Sequence, residues 1–193
     1  YGTDGSGAHI LVLRSNDNGG TWTKSYDGQF VANKDSYARA LVVMPNSSLV
    51  MSGSYVDGSG KTHGFAMKSS DDGNTWATVD DYLPFGGNNV NNLGLFLDGS
   101  GNLYAVSTAN DSGGLFHGII RKSADSGRSW ATTLDYVWNG NNTFLSTGVS
   151  GSNGTIYVSG YGYDGSLYHW ITLASSDAGS TWRTIDDYTT STV

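Results

Sequence analysis

All seventeen acidic side chains of this sequence are aspartates; there is no glutamate. Four of them recur in one frame. Asp17, Asp71, Asp125 and Asp177 each sit in the pattern S-x-D-x-G-x-[ST]-W, completed by Gly19 and Trp22, Gly73 and Trp76, Gly127 and Trp130, and Gly179 and Trp182. The intervals between these aspartates are 54, 54 and 52 residues. A second set, Asp27, Asp81, Asp135 and Asp187, follows each motif tryptophan by five residues. The only four histidines, His9, His63, His117 and His169, each precede their motif aspartate by eight.

Three chemistries could use such residues. Two aspartates can serve as acid and base, or acid and nucleophile, in glycoside hydrolysis. An Asp-x-[Asp/Asn]-x-Gly loop can bind calcium, but the fixed tryptophan and the lack of a closing acidic ligand argue against it here. Four histidines could share a metal, which requires convergence to about 2.1 Å on one ion. Histidines on third strands of separate units stand too far apart for that, so no metal and no cofactor is expected. Repetition itself also informs. A catalytic pair breaks the symmetry of a repeat, whereas a structural residue follows it. The Asp27-type residues are therefore read as strand-end clamps.

The motif loop is read as a self-clamped turn. Its carboxylate accepts backbone N–H groups, its hydroxyls join in, and its glycine takes the unusual backbone angle. Its tryptophan buries area between neighbouring units. The histidines have two competing roles: each holds a neighbouring strand or loop, or each contributes to a repeated ligand site. The expected ligand set is His9, His63, His117 and His169 with Asn89, Asn142, Tyr163 and Trp170. Imidazole, amide and aromatic groups suit sugar hydroxyls and sugar faces. The connections between units are rich in such amides: Asn33, Asn88, Asn89, Asn91, Asn92, Asn139, Asn141 and Asn142.

The elements that must position these groups are short strands. A turn signal opens each unit (Asp4-Gly5, Asp57-Gly58, Asp111-Ser112-Gly113, Asp164-Gly165) and leads into a strand, the motif, and a further strand. Two more strands lie between motifs, such as Ala40 to Met44 and Leu49 to Tyr55, around Pro45-Asn46-Ser47-Ser48. Four short strands per unit is a propeller-blade layout. The fold expected is all-β: a β-propeller of four-stranded antiparallel blades, three complete and one partial. The units run about 1–27 (partial), 28–83, 84–137 and 138–189. Closing a ring is expected to need further repeats or self-association.

Composition agrees. Glycine is abundant at 28, tyrosine at 12, and charged residues are only 14%. The net charge of −7, with ten dispersed basic residues, argues against nucleic acid as a partner. No apolar run is long enough for membrane insertion. There is no cysteine, hence no disulfide or thiolate chemistry.

The motif resembles the Asp-box, or BNR repeat, of sialidases and other secreted β-propellers. The longer pattern is similar to repeats in uncharacterised secreted bacterial proteins, through His169-Trp170, Lys68-Ser69 and Thr78-Val79-Asp80-Asp81-Tyr82. The resemblance implies that the box joins third and fourth strands on the face opposite the ligand site, and that the protein is secreted or at a bacterial cell surface. It also implies a sialidase chemistry that this sequence lacks: an arginine triad with a tyrosine–glutamate pair. There are five arginines, Arg14, Arg39, Arg121, Arg128 and Arg183, no glutamate and no Arg-Ile-Pro motif. The function expected is thus a non-catalytic recognition or structural module, not an enzyme, with glycan as its partner. The alternatives are a glycoside hydrolase fragment using aspartate acid and base, and a structural segment of a large surface or fibre protein.

Overall fold

The computed structural model describes residues 1–86 and 89–189. Asn88 lies outside them. The described residues form fifteen strands in four antiparallel sheets, each built from consecutive strands. The first sheet has three, β1 (Gly2–Asp4), β2 (Gly7–Arg14) and β3 (Thr23–Gly28). The second has β4 (Ser36–Val43), β5 (Leu49–Val56), β6 (Thr62–Ser69) and β7 (Ala77–Tyr82). The third has β8 (Val90–Leu97), β9 (Leu103–Asn110), β10 (Phe116–Ser123) and β11 (Ala131–Tyr136). The fourth has β12 (Asn142–Ser150), β13 (Ile156–Tyr163), β14 (Tyr168–Ser175) and β15 (Arg183–Tyr188).

The strands leading each four-stranded sheet begin earlier than hydrophobic patterning suggests. β4 starts at Ser36, where alternation first points to Ala40. A bulge is the reason. The register slips between Ala38 and Ala40, between Asn92 and Gly94, and between Leu145 and Thr147. One extra residue reverses the in–out alternation, so the polar start of the strand no longer matches its apolar end. A second bulge recurs where the third strand meets the fourth, at Val12/Leu13, Ala66/Met67, Ile120/Arg121 and Thr172/Leu173.

The core lies between successive sheets. Ile10 packs with Met51, Phe65 and Met67; Val50 and Ala66 pack with Leu103; Val106 and Ile120 pack with Leu145, Ile171 and Leu173. Both faces of the middle sheets are therefore covered, and β5 and β9 are buried along most of their length. The third strand packs tightly on the following sheet at one point. A Cβ at Gly118 would run into the side chain of Leu145.

The motif tryptophans are only partly interfacial. Trp76, Trp130 and Trp182 pack against the cluster shared with the preceding sheet, but Trp22 is 62% exposed. The expectation that each tryptophan is buried between units therefore fails for the first. Among the described residues no sheet precedes it.

Candidate functional site

The four motif loops share one hydrogen-bond design. In the second, the Ser69 hydroxyl donates to Asp71 Oδ1 (2.8 Å) and accepts Gly73 N–H (2.8 Å). Thr75 donates its N–H to Asp71 Oδ1 (2.8 Å) and its hydroxyl to Oδ2 (2.6 Å). Asp17, Asp125 and Asp177 repeat this with Ser15 and Thr21, Ser123 and Ser129, and Ser175 and Thr181. The residue before each glycine and the glycine itself both have positive φ, for example Asp72 at 58° and Gly73 at 83°. These donors hold the carboxyls of Asp17, Asp71 and Asp177 down at about 2, and that of Asp125 lower still. With their oxygens occupied, these aspartates clamp the loop.

The histidines are clamps of another kind. Nδ1 of His9, His63, His117 and His169 lies 3.0, 2.8, 2.6 and 2.8 Å from Oδ1 of Asp27, Asp81, Asp135 and Asp187. On the other side Nε2 faces the turn aspartates, at 3.2 Å for Asp4, 3.4 Å for Asp57, 3.7 Å for Asp111 and 3.4 Å for Asp164. The imidazoles of His9, His63 and His169 thus tie the turn before the third strand to the end of the fourth, whereas Nε2 of His117 is buried without a hydrogen bond to its turn. Rings cover three of them: Tyr55 on His63, Phe85 on His117 and Trp138 on His169. For His169 the Asp187 hydrogen bond is the main cause of a raised pKa.

The expected ligand residues are only partly brought together. Asn142 pairs with Tyr163 across β12 and β13, and Tyr163 with Tyr168. His169 and Trp170 are adjacent on β14 and so point to opposite faces. Trp170 is 56% exposed, in register with Tyr161 and Tyr188. Asn142 Oδ1 accepts Phe116 N–H at 2.9 Å, and Asn89 exchanges hydrogen bonds with Asn110. Both asparagines hold the third sheet's backbone.

A further group does break the repeat. Asp35 stands just before β4, at the place where Asn142 opens β12. Its Oδ1 accepts Ala8 N–H at 2.8 Å, as Asn142 accepts that of Phe116. Ala8 and Phe116 both lie fourteen residues before their motif tryptophans. The same latch therefore uses a carboxylate in one sheet and an amide in another. The second oxygen of Asp35 accepts the Tyr37 hydroxyl at 3.1 Å. Tyr1 packs edge-on against the Tyr37 ring, and the Arg39 guanidinium lies 5.2 Å from its centroid. Burial first, and the Asp35 hydrogen bond second, raise the Tyr37 pKa, so the phenol stays a donor. Sequence reasoning passed over Asp35, although its departure from the pattern was the available signal.

No family model and no curated protein sequence matches the chain. Solved structures do. A protein of unknown function from Dyadobacter fermentans DSM 18053 superposes with a TM-score of 0.65 at 16% identity, over 91% of this chain and 57% of that one. The Penicillium chrysogenum alpha-L-arabinanase complexed with arabinobiose gives 0.64 at 17%, over 95% of this chain and 60% of that one. The Trypanosoma rangeli sialidase in complex with the inhibitor DANA gives 0.64 at 16%, over 92% and 33%. The chain thus spans between a third and three fifths of the lengths of these three structures. Two of the three are glycoside hydrolases, which overturns the expectation of a non-catalytic module. Missing glutamate removes one sialidase mechanism; it does not remove glycosidase chemistry, which aspartate can carry. In four antiparallel sheets packed one on the next, this chain has the fold of the sialidase-like β-propellers.

Proposed function

We propose that the four sheets are consecutive blades of a propeller stapled by Asp-boxes, and that the chain is part of a glycoside hydrolase using aspartate acid–base chemistry. Asp35 is assigned to that chemistry. The observation that carries the assignment is its break with the repeat: a carboxylate takes the backbone N–H whose counterpart the Asn142 amide takes, and a tyrosine hydroxyl orients its second oxygen.

A carboxylate positioned in this way can exchange a proton with a glycosidic oxygen or a water. The Tyr37 hydroxyl holds the group in one rotamer and donates to its charged form. Beside Tyr37, exposed Tyr1 offers a ring and Arg39 a cation for a sugar. The glycosidases that share the fold support a glycan as the substrate class.

The test is release of product from aryl α-L-arabinofuranosides, arabinan and sialosides, with and without Asp35→Asn. Asparagine preserves the latch, as Asn142 does, so the variant folds. A fall of about 100-fold or more at an unchanged melting temperature is expected. Release that survives the substitution, or no release from any of these substrates, overturns the assignment.

A further inference from the structure

Three residues depart from the repeat at one place. Gln29 follows β3, where Leu83 and Val137 follow the fourth strands of the next two sheets. Gly7 lies two residues before His9, where Lys61, Leu115 and Leu167 precede the other histidines. Asp35 is the third. Up the strand ladders from the motif serines it lies level with Asn89 and Asn142.

The three meet around buried Ala8. Asp35 Oδ1 accepts the Ala8 N–H at 2.8 Å. Gln29 Nε2 donates to the Ala8 carbonyl at 3.4 Å and to that of Ser6 at 3.2 Å. A carboxylate only accepts, so Asp35 cannot bind those carbonyls; the Gln29 amide supplies the donor. Its other end, Oε1, accepts Asn33 N–H at 3.1 Å and so closes the connection that delivers Asp35. From the far side, Val56 N–H donates to the Asp35 carbonyl at 2.9 Å. Gly7 leaves the room: a Cβ there would lie 2.8 Å from Asp35 Oδ1, and its φ is +115°.

We propose that Gln29 is a positioning residue for Asp35, a role that rests on the assignment of Asp35 to glycosidase chemistry. Gln29 acts through the connection 29–35. It pins that segment to the first sheet, so that Oδ1 stays on the Ala8 N–H and Oδ2 is presented beside Tyr37. A carboxylate misplaced by about 1 Å can lose roughly 100-fold in rate. Leucine or valine, which the next two sheets carry at this position, can make none of the Gln29 hydrogen bonds.

The test uses Gln29→Leu in the whole chain, with amide hydrogen exchange and hydrolysis of the same glycosides as readouts. Leucine is the second sheet's own residue here, and Gln29→Glu, which keeps the shape and loses the donor, is the second variant. Exchange of the Ala8 N–H is expected to quicken about 10-fold or more, with Gly73 N–H in the second motif loop unchanged. The kcat is expected to fall about 10- to 100-fold with KM within about twofold. In an Asp35→Asn background Gln29→Leu is expected to cost nothing further, because it acts only through the carboxylate. Unchanged Ala8 exchange in both variants, or an equal loss of rate with and without Asp35→Asn, overturns the proposal. Two failures are distinguishable. Where the parent chain releases no product, the catalytic assignment fails, while faster Ala8 exchange still upholds the hold of Gln29 on Asp35. Where it releases product and Gln29→Leu matches it, the positioning role alone fails.

Discussion

The guanidinium of Arg121, in the third sheet, grips the carboxylate of Asp80 in the second through two hydrogen bonds of 2.7 and 2.6 Å. It also lies 4.5 Å from the centroid of the Tyr82 ring, and the Tyr82 hydroxyl bonds to Ser107. The pair is largely buried, and the repeat shows what it replaces. The counterpart of Arg121 is Met67 in the second sheet, and that of Asp80 is Leu134 in the third. Arg121→Met alone strands a buried carboxylate and is expected to cost about 3 kcal/mol. Adding Asp80→Leu is expected to restore most of that loss. Urea denaturation of the two variants and their double checks it; a double mutant no more stable than the single contradicts the account.

Acid should loosen the motif loops. Their aspartates are held near 2 by hydroxyl and backbone donors, against an ordinary value of 3.8. A depressed carboxyl contributes stability that is present above the unfolded value and is lost as pH falls through the folded one. The melting temperature is therefore expected to fall between about pH 4 and pH 2. Ser69→Ala, which removes one of the donors to Asp71 and unpairs Gly73 N–H, is expected to lower stability by about 1–2 kcal/mol and to move that acid limb toward higher pH. Melting curves from pH 5 to pH 2 test both.

The opposite sign applies to His169. Its pKa is raised above 6.5, chiefly by Asp187 and then by Asp164. Its contribution is fully present below pH 6.5 and is lost as pH rises through the raised value. His169→Gln is expected to flatten the pH dependence of the melting temperature above pH 6.5. An unchanged slope would show that this ion pair is energetically silent. By contrast His63→Ala, which deletes the bond to Asp81 and the Tyr55 stack, is expected to cost about 1 kcal/mol or more at neutral pH.

Gly118 is expected to tolerate no side chain. Leu145 occupies the space a Cβ would need, and both belong to well-packed strands. Gly118→Ala should cost about 1–3 kcal/mol through overpacking. Leu145→Ala is expected to destabilise by itself, yet to relieve part of the Gly118→Ala penalty when the two are combined. Thermal unfolding of the three variants measures the coupling.

Much of this molecule is local, and what is local can be read from one chain. The Ser-Asp-Gly-Thr-Trp loops close over eight residues, so their aspartates, their glycines and the strands on either side follow from short-range chemistry. The all-β character and the succession of strands follow in the same way. The histidine frame is nearly as legible, because His169 and Asp187 lie on neighbouring strands eighteen residues apart. Contacts between sheets decided the rest. The bulges at the start of β4 and β12 reverse alternation without changing composition. His169 and Trp170 look like one site until the strand turns them to opposite faces. Asp35 is one aspartate among seventeen until Ala8, 27 residues away, brings its amide to it. Spacing along the chain therefore determined the repeated clamps. Which aspartate stands apart depends on long-range pairing that no interval between residues encodes.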